Sequence, residues 1–246
     1  MVAILLVLTV TAGSAGAESQ AAFASLSGAR AAYADRSDTV RARAAVELFG
    51  QAALDNPGAY DARWEGARAA YFLASFPLRG APGGERLVVL EEGIRLAREA
   101  VALRPDGPEG LFWLGVAQGA AAEVRGVWAS LRVVGDIRRL MQRCLELDPS
   151  VANHGPDRVL GRLEFKLPGI AGGSLRRSIA HLERSLAGSP DESITWLFLA
   201  ESVRATGDRA RARNLLRRAL SAEPDAEYLV EDRWVKEDAR ALLNRW

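Results

Sequence analysis

Five prolines divide the chain. Pro57, Pro105, Pro149, Pro190 and Pro224 each close an alanine- and leucine-rich run: Leu54-Asp55-Asn56-Pro57, Leu103-Arg104-Pro105, Leu145-Glu146-Leu147-Asp148-Pro149, Leu186-Ala187-Gly188-Ser189-Pro190 and Leu220-Ser221-Ala222-Glu223-Pro224. Proline cannot continue a helix, and it pushes the residue before it towards extended backbone. The successive spacings are 48, 44, 41 and 34 residues. Each run is rich in helix-forming alanine and leucine, so each proline marks a helix end. The chain reads as a series of helical units that share a boundary.

The last spacing, 34 residues, is the period of the tetratricopeptide helix–turn–helix unit. The final unit carries the expected side chains. Trp196, Leu199, Ala200 and Val203 lie on its first helix; Ala212, Leu216, Ala219 and Pro224 follow on or after the second. Thr206-Gly207-Asp208 separates them, with Gly207 suited to a left-handed helix end and Asp208 to the next N-cap. Small residues let two antiparallel helices approach, and large ones fill the seam. The earlier units repeat parts of this pattern: Leu114-Gly115 with Cys144, Leu160-Gly161 with Ile179 and Leu182, Trp64 and Tyr71 with Ala100, and Tyr33 with Ala45, Phe49 and Ala52. The expected fold is all-α, an α-solenoid of about five tetratricopeptide-like hairpins over residues 20–246. A tail helix from about Glu231 to Trp246 would cap the final face with Trp234, Leu242 and Leu243.

The three middle units are longer, which predicts insertions at Pro77–Glu85, Val124–Val134 (with Trp128) and Leu167–Gly173. Equivalent loops of stacked repeats share an edge and often decorate a binding face. Neutral lengthening is the alternative, since it costs little. The inner face of such a stack is lined by first helices. Carrying the last unit's phase backwards selects Glu65, Phe72, Phe112, Val116, Arg158, Arg162, Phe165, Leu197, Glu201 and Arg204 as groove residues for a ligand or partner. The same phenylalanines could instead pack in the core; periodicity alone leaves both open.

Residues 1–17 contain no charged side chain and end Ala15-Gly16-Ala17. This reads as a secretory signal peptide and places the mature chain in the periplasm. A buried first helix is the other reading. No cysteine follows the apolar run, so no lipid attachment is expected there. Cys144 is the sole cysteine; it falls at a small-residue repeat position, so its expected role is packing. His154 and His181 cannot make a multi-histidine metal site. His181 reads as a surface residue, and Glu91 and Glu92 as solvated charges. No G-x-S-x-G, P-loop, H-E-x-x-H or dinucleotide fingerprint occurs, which argues against an enzyme. No cofactor or metal is expected. The net charge of +1 gives no field for nucleic acid. The cations are nearly all arginine, from base composition of the gene or from a role in carboxylate and phosphate recognition.

A family resemblance follows from ordered motifs. Pro108-Glu109-Gly110-Leu111-Phe112-Trp113-Leu114-Gly115, Leu145-Glu146-Leu147-Asp148-Pro149, Gly155-Pro156 with Leu160-Gly161, and Leu167-Pro168-Gly169 with Gly172-Gly173-Ser174 resemble the T-component proteins of TRAP transporters. The resemblance covers roughly residues 60–225. It implies a periplasmic, non-enzymatic accessory protein whose partner is the substrate-binding component of a tripartite, ATP-independent uptake system. It also implies homo-oligomers with an apolar channel in each subunit, fitting a hydrophobic small ligand; Phe72, Phe112 and Phe165 would suit that lining. A general tetratricopeptide interaction scaffold of the cell envelope is the alternative.

Overall fold

The computed structural model describes residues 11–246, with side chains for 23–126 and 131–246. Residues 1–10, most of the expected export signal, lie outside the described residues, as does the Trp128 side chain. Eleven α-helices and no strand are present among the described residues. They form five antiparallel pairs and a tail helix: α1 (Thr11–Ala34) with α2 (Thr39–Asp55), α3 (Tyr60–Ser75) with α4 (Gly83–Leu103), α5 (Pro108–Arg125) with α6 (Val127–Leu147), α7 (Val151–Lys166) with α8 (Leu175–Gly188), α9 (Ser193–Ala205) with α10 (Arg209–Ser221), then α11 (Leu229–Arg245). The chain is therefore an all-α solenoid.

Close approach inside each pair depends on missing side chains. A Cβ placed on Gly161 of α7 would lie 2.6 Å from Leu182 Cγ of α8, and one on Gly115 of α5 would lie 2.6 Å from Met141 of α6. In the last pair Ala200 is fully buried beside Leu199 and Leu216. Between α9 and α10, Gly207 takes φ +97°, and the Asp208 carboxylate accepts from the Arg211 backbone N–H at 2.9 Å. Cys144 is wholly buried in the seam of α5 and α6.

Three expectations about chain length and ends need correction. The stretch Val124–Val134 is not a loop: the helices break only around Gly126, and α6 resumes at Val127. The additional residues lengthen the helices because the run offers no helix-breaking proline. The first insertion ends earlier than expected, since Gly83 already begins α4. The tail helix starts at Leu229, after a short 3-10 turn at Ala226–Tyr228, and it does more than cap the last pair. Val235 and Ala239 are buried against α9 and α10, with Leu242 and Leu243 beside them. Trp234 faces back across the molecule, its ring 4.4 Å from the Arg79 guanidinium carbon.

The stack therefore closes on itself. Arg36, at the end of α1, is 5% exposed. Its Nε and Nη2 donate to the two carboxylate oxygens of Glu231 on α11, at 3.0 and 2.8 Å. Its guanidinium also lies over the Tyr33 ring at 4.4 Å. Arg68 of α3 pairs with Glu227, and Arg79 pairs with Asp238 at 3.3 Å. Val230 packs into the core of the first two helix pairs.

Two measurements check this packing. Gly161→Val should lower unfolding free energy by about 2 kcal/mol in urea titration, whereas Gly80→Ala, with open space around it, should leave it unchanged. Arg36→Met strands a largely buried Glu231 carboxylate and should cost about 3 kcal/mol, most of it recovered in the double variant with Glu231→Leu.

Candidate functional site

The first helices α3, α5, α7 and α9 line the inside of the curve, and α11 crosses its open side. Together they line a half-open cavity of about 690 Å³. Apolar walls come from Tyr71, Phe72 and Phe76 near α3, from Phe112, Val116, Ala120 and Val124 on α5, from Val133 and Ile137 on α6, and from Leu163 on α7. Aromatic contacts fix the α3–α5 corner: Phe72 stacks on Phe76 at 5.4 Å, and Tyr71 meets Trp113 at 5.9 Å. Ile194, Phe198, Tyr228, Glu231, Asp232 and Val235 complete the far side.

Charged groups in the wall are mostly paired. Lys166 meets Glu123 at 3.3 Å, and Asp232 meets Lys236 at 2.9 Å. Arg162 pairs with Glu201 and lies 4.2 Å over the Phe198 ring. The hydroxyls of Tyr71 and Tyr228 are neutral at physiological pH; burial pushes both phenols up, Tyr228 to about 12.

Arg158 has an unusual support. Its Nη1 and Nη2 donate to the carbonyls of Asn153 and Ala152 at 3.0 and 2.9 Å. Those carbonyls belong to three consecutive left-handed residues, Ala152, Asn153 and His154, with φ of 52°, 55° and 54°. Left-handed backbone costs an L-residue about 1–2 kcal/mol, so this turn persists only because its surroundings hold it. Ser185 donates to the His154 carbonyl at 2.9 Å, and the Asn153 amide bridges Glu192 and Asp225.

The ten residues selected from sequence separate into two groups. Phe72, Phe112, Val116, Arg158 and Arg162 lie together in the cavity wall. Phe72 and Phe112 are also nearly fully buried, so they are core and wall at once. Glu65 lies outside the lining, buried and held by Arg30 at 2.9 Å. Phe165 sits under Arg162, with the guanidinium 5.2 Å from its ring. Leu197 is buried in the core of the last helix pairs. Glu201 reaches the wall only through Arg162, and Arg204 lies against Trp246. Sequence reading missed Arg68, Tyr71 and Ser75, although with Phe72 they form an i, i+3, i+4, i+7 stripe on α3. It also missed the contribution of Tyr228, Glu231, Asp232 and Val235, for which no local signal exists.

The third insertion forms a loop at the cavity rim. Leu167 and Pro168 enter the wall, while Ile170 at the tip is fully exposed. Buried Glu164 anchors this loop by receiving Arg138 and Arg177, each at 2.8 Å; Arg177 also donates to the Gly172 carbonyl. His181 is not a plain surface residue: its Nδ1 lies 2.6 Å from Asp157, which Arg184 also binds at 3.0 Å. Among the described residues no cluster of His, Cys, Asp and Glu could hold a metal ion, and no helix is long and apolar enough to cross a membrane.

The repeat pairs from α4 onward carry the decisive likeness: residues 88–245 match the family model of the TRAP transporter T-component. The chain belongs to the TRAP transporter T-component family. No curated protein matches the chain in sequence. Among solved structures, a thermophilic TPR protein of Thermus thermophilus agrees with the fold. It is 20% identical over 82% of this chain and 91% of its own, with a TM-score of 0.57. Two more distant likenesses are MamA protein and YrrB. MamA protein is 15% identical over 80% of this chain and 93% of its own, with a TM-score of 0.47. YrrB, a TPR protein with an unusual peptide-binding site, is 12% identical over 81% and 84%, at 0.45.

Two solution properties follow from the geometry. Burial pushes the Cys144 thiol up to about 12, so it should resist a disulfide reagent at about pH 8 in the native protein and react once urea unfolds it. Burial alone would raise the Asp157 carboxyl, but hydrogen bonds from His181 and Arg184 with their charges outweigh it and hold it below 3.8. A depressed acid stabilises above its unfolded value and loses that contribution as pH falls through the folded one. Asp157→Asn should therefore narrow the stability difference between about pH 6 and pH 2 in thermal melts.

Proposed function

We propose that this T component works without catalysis, in the periplasm, by docking to the substrate-binding component of its TRAP system and holding an apolar small ligand in the central cavity. The observation that carries the reading is the cavity itself. Every helix pair contributes to its wall, and α11 crosses the side that an open solenoid would leave to solvent. A pocket of this size, apolar and crossed by a few placed polar groups, has the character of a small-molecule site. A peptide-binding scaffold would need that concave face open along its length; the Arg36–Glu231 closure stands across it, which favours the ligand reading.

In this reading residues 1–17 are a cleaved export signal, so the protein recovered from the periplasm should begin at Glu18 by intact mass. The neutral apolar dye N-phenyl-1-naphthylamine should gain fluorescence on binding the purified protein. Val116→Trp, which fills the cavity from α5, should weaken that binding at least about 10-fold with the fold intact by circular dichroism. Sedimentation velocity with a TRAP substrate-binding protein from the same organism should show a heterocomplex. Dye binding unchanged by Val116→Trp and no complex would overturn the proposal.

A further inference from the structure

The charges around the cavity do not cancel evenly. Of the four wall carboxylates, Glu123 is matched by Lys166, Glu231 by Arg36 and Asp232 by Lys236, and Glu192 lies nearest to Arg158. Of the cations, Arg68 is matched by Glu227 and Arg162 by Glu201. Arg158 differs. Its hydrogen bonds go to backbone carbonyls, and its ion pair with the buried Glu192 carboxylate, at 3.8 Å, is longer than the other pairs of the wall and too long for a hydrogen bond. Arg86, also in the wall, likewise bonds a carbonyl, that of Ala74 at 2.9 Å. Five cations and four carboxylates line the wall, an excess of one positive charge beside an apolar surface.

The support under Arg158 sharpens this. Two carbonyls of the left-handed turn at residues 152–154 fix the plane of the fork. Each terminal nitrogen carries a second N–H beyond the one given to a carbonyl, and the Nε–H is a fifth donor. A guanidinium held in place, largely out of water and with donors to spare is a ready oxyanion receptor. Strained backbone maintained by its surroundings is a common means of holding such a group. A residue serving only to staple the turn would need no place in the cavity wall.

We infer that the cavity takes an amphiphile with one oxyanion head, the head received by Arg158 and the tail laid along Phe112, Val116 and Leu163. This deepens the ligand reading above and rests on it. A carboxylate and a phosphate monoester share the required chemistry. A tail of about twelve carbons suits a pocket of this class.

The test is displacement of N-phenyl-1-naphthylamine by chain-matched compounds at about pH 8: dodecanoate, dodecyl phosphate, dodecanol and dodecyltrimethylammonium, all below micelle-forming concentration. Dodecanoate or dodecyl phosphate should displace the dye at least about 10-fold more tightly than dodecanol, as a charge-assisted bidentate pair requires, and whichever is tighter names the head. The ammonium compound should be weakest. Arg158→Gln should remove the anionic advantage and leave dodecanol unchanged. If that variant does not fold, the wild-type protein still decides: about 0.5 M salt should reduce the anionic advantage and spare dodecanol. Equal binding of all heads, preference for the ammonium, or an anionic advantage kept in Arg158→Gln overturns the inference while the cavity reading stands. Failure of the dye and dodecanol alike to bind overturns the cavity reading, and this inference with it.

Discussion

One buried ion pair decides what kind of solenoid this is. Five hairpins stacked through neighbour contacts would ordinarily leave a curved, open array, because each repeat touches only the next. The Arg36 guanidinium, gripping both oxygens of Glu231, joins the end of the first helix to the last helix. Aromatic faces on Tyr33 and Phe72 lie against that guanidinium and shield the pair from water. Charge pairs in such surroundings are costly to leave half-made. The closure is thus specified more sharply than apolar packing alone would achieve, and the concave face becomes a pocket walled on its far side by the last helix.

The repeat architecture was legible because its cause is local. Pro57, Pro105, Pro149, Pro190 and Pro224 each stand one or a few residues past a helix end, and Gly115 and Gly161 mark where a neighbouring helix must come close. Gly207-Asp208 placed the last interhelical turn by the same kind of short-range chemistry. Length alone is a poorer guide. The long spacing around Gly126 suggests a loop, yet nothing in Val127–Val134 opposes helix, and helix formed.

The site was legible only in part, for a geometric reason. Phe72, Phe112, Val116, Arg158 and Arg162 lie on first helices whose phase follows from the repeat, so they meet in one wall. Extrapolation did less well at the stack's ends: Glu65 is drawn to Arg30, and Leu197 into the seam with the last pair. The wall contributed by Tyr228, Glu231, Asp232 and Val235 comes from a contact between distant parts of the chain, which no pattern within one helix announces. The left-handed turn at Ala152–His154 was equally hidden, since alanine and histidine carry no signature of that backbone.

The Arg36–Glu231 contact spans 195 positions of sequence, whereas the contacts that build each hairpin span a few dozen. Local hairpins form early and long-range closures late, because chain entropy must be overcome before they reward it. A nascent polypeptide would therefore possess finished hairpins well before it possessed an interior. Only arrival of the final helix would turn a row of repeats into a receptacle.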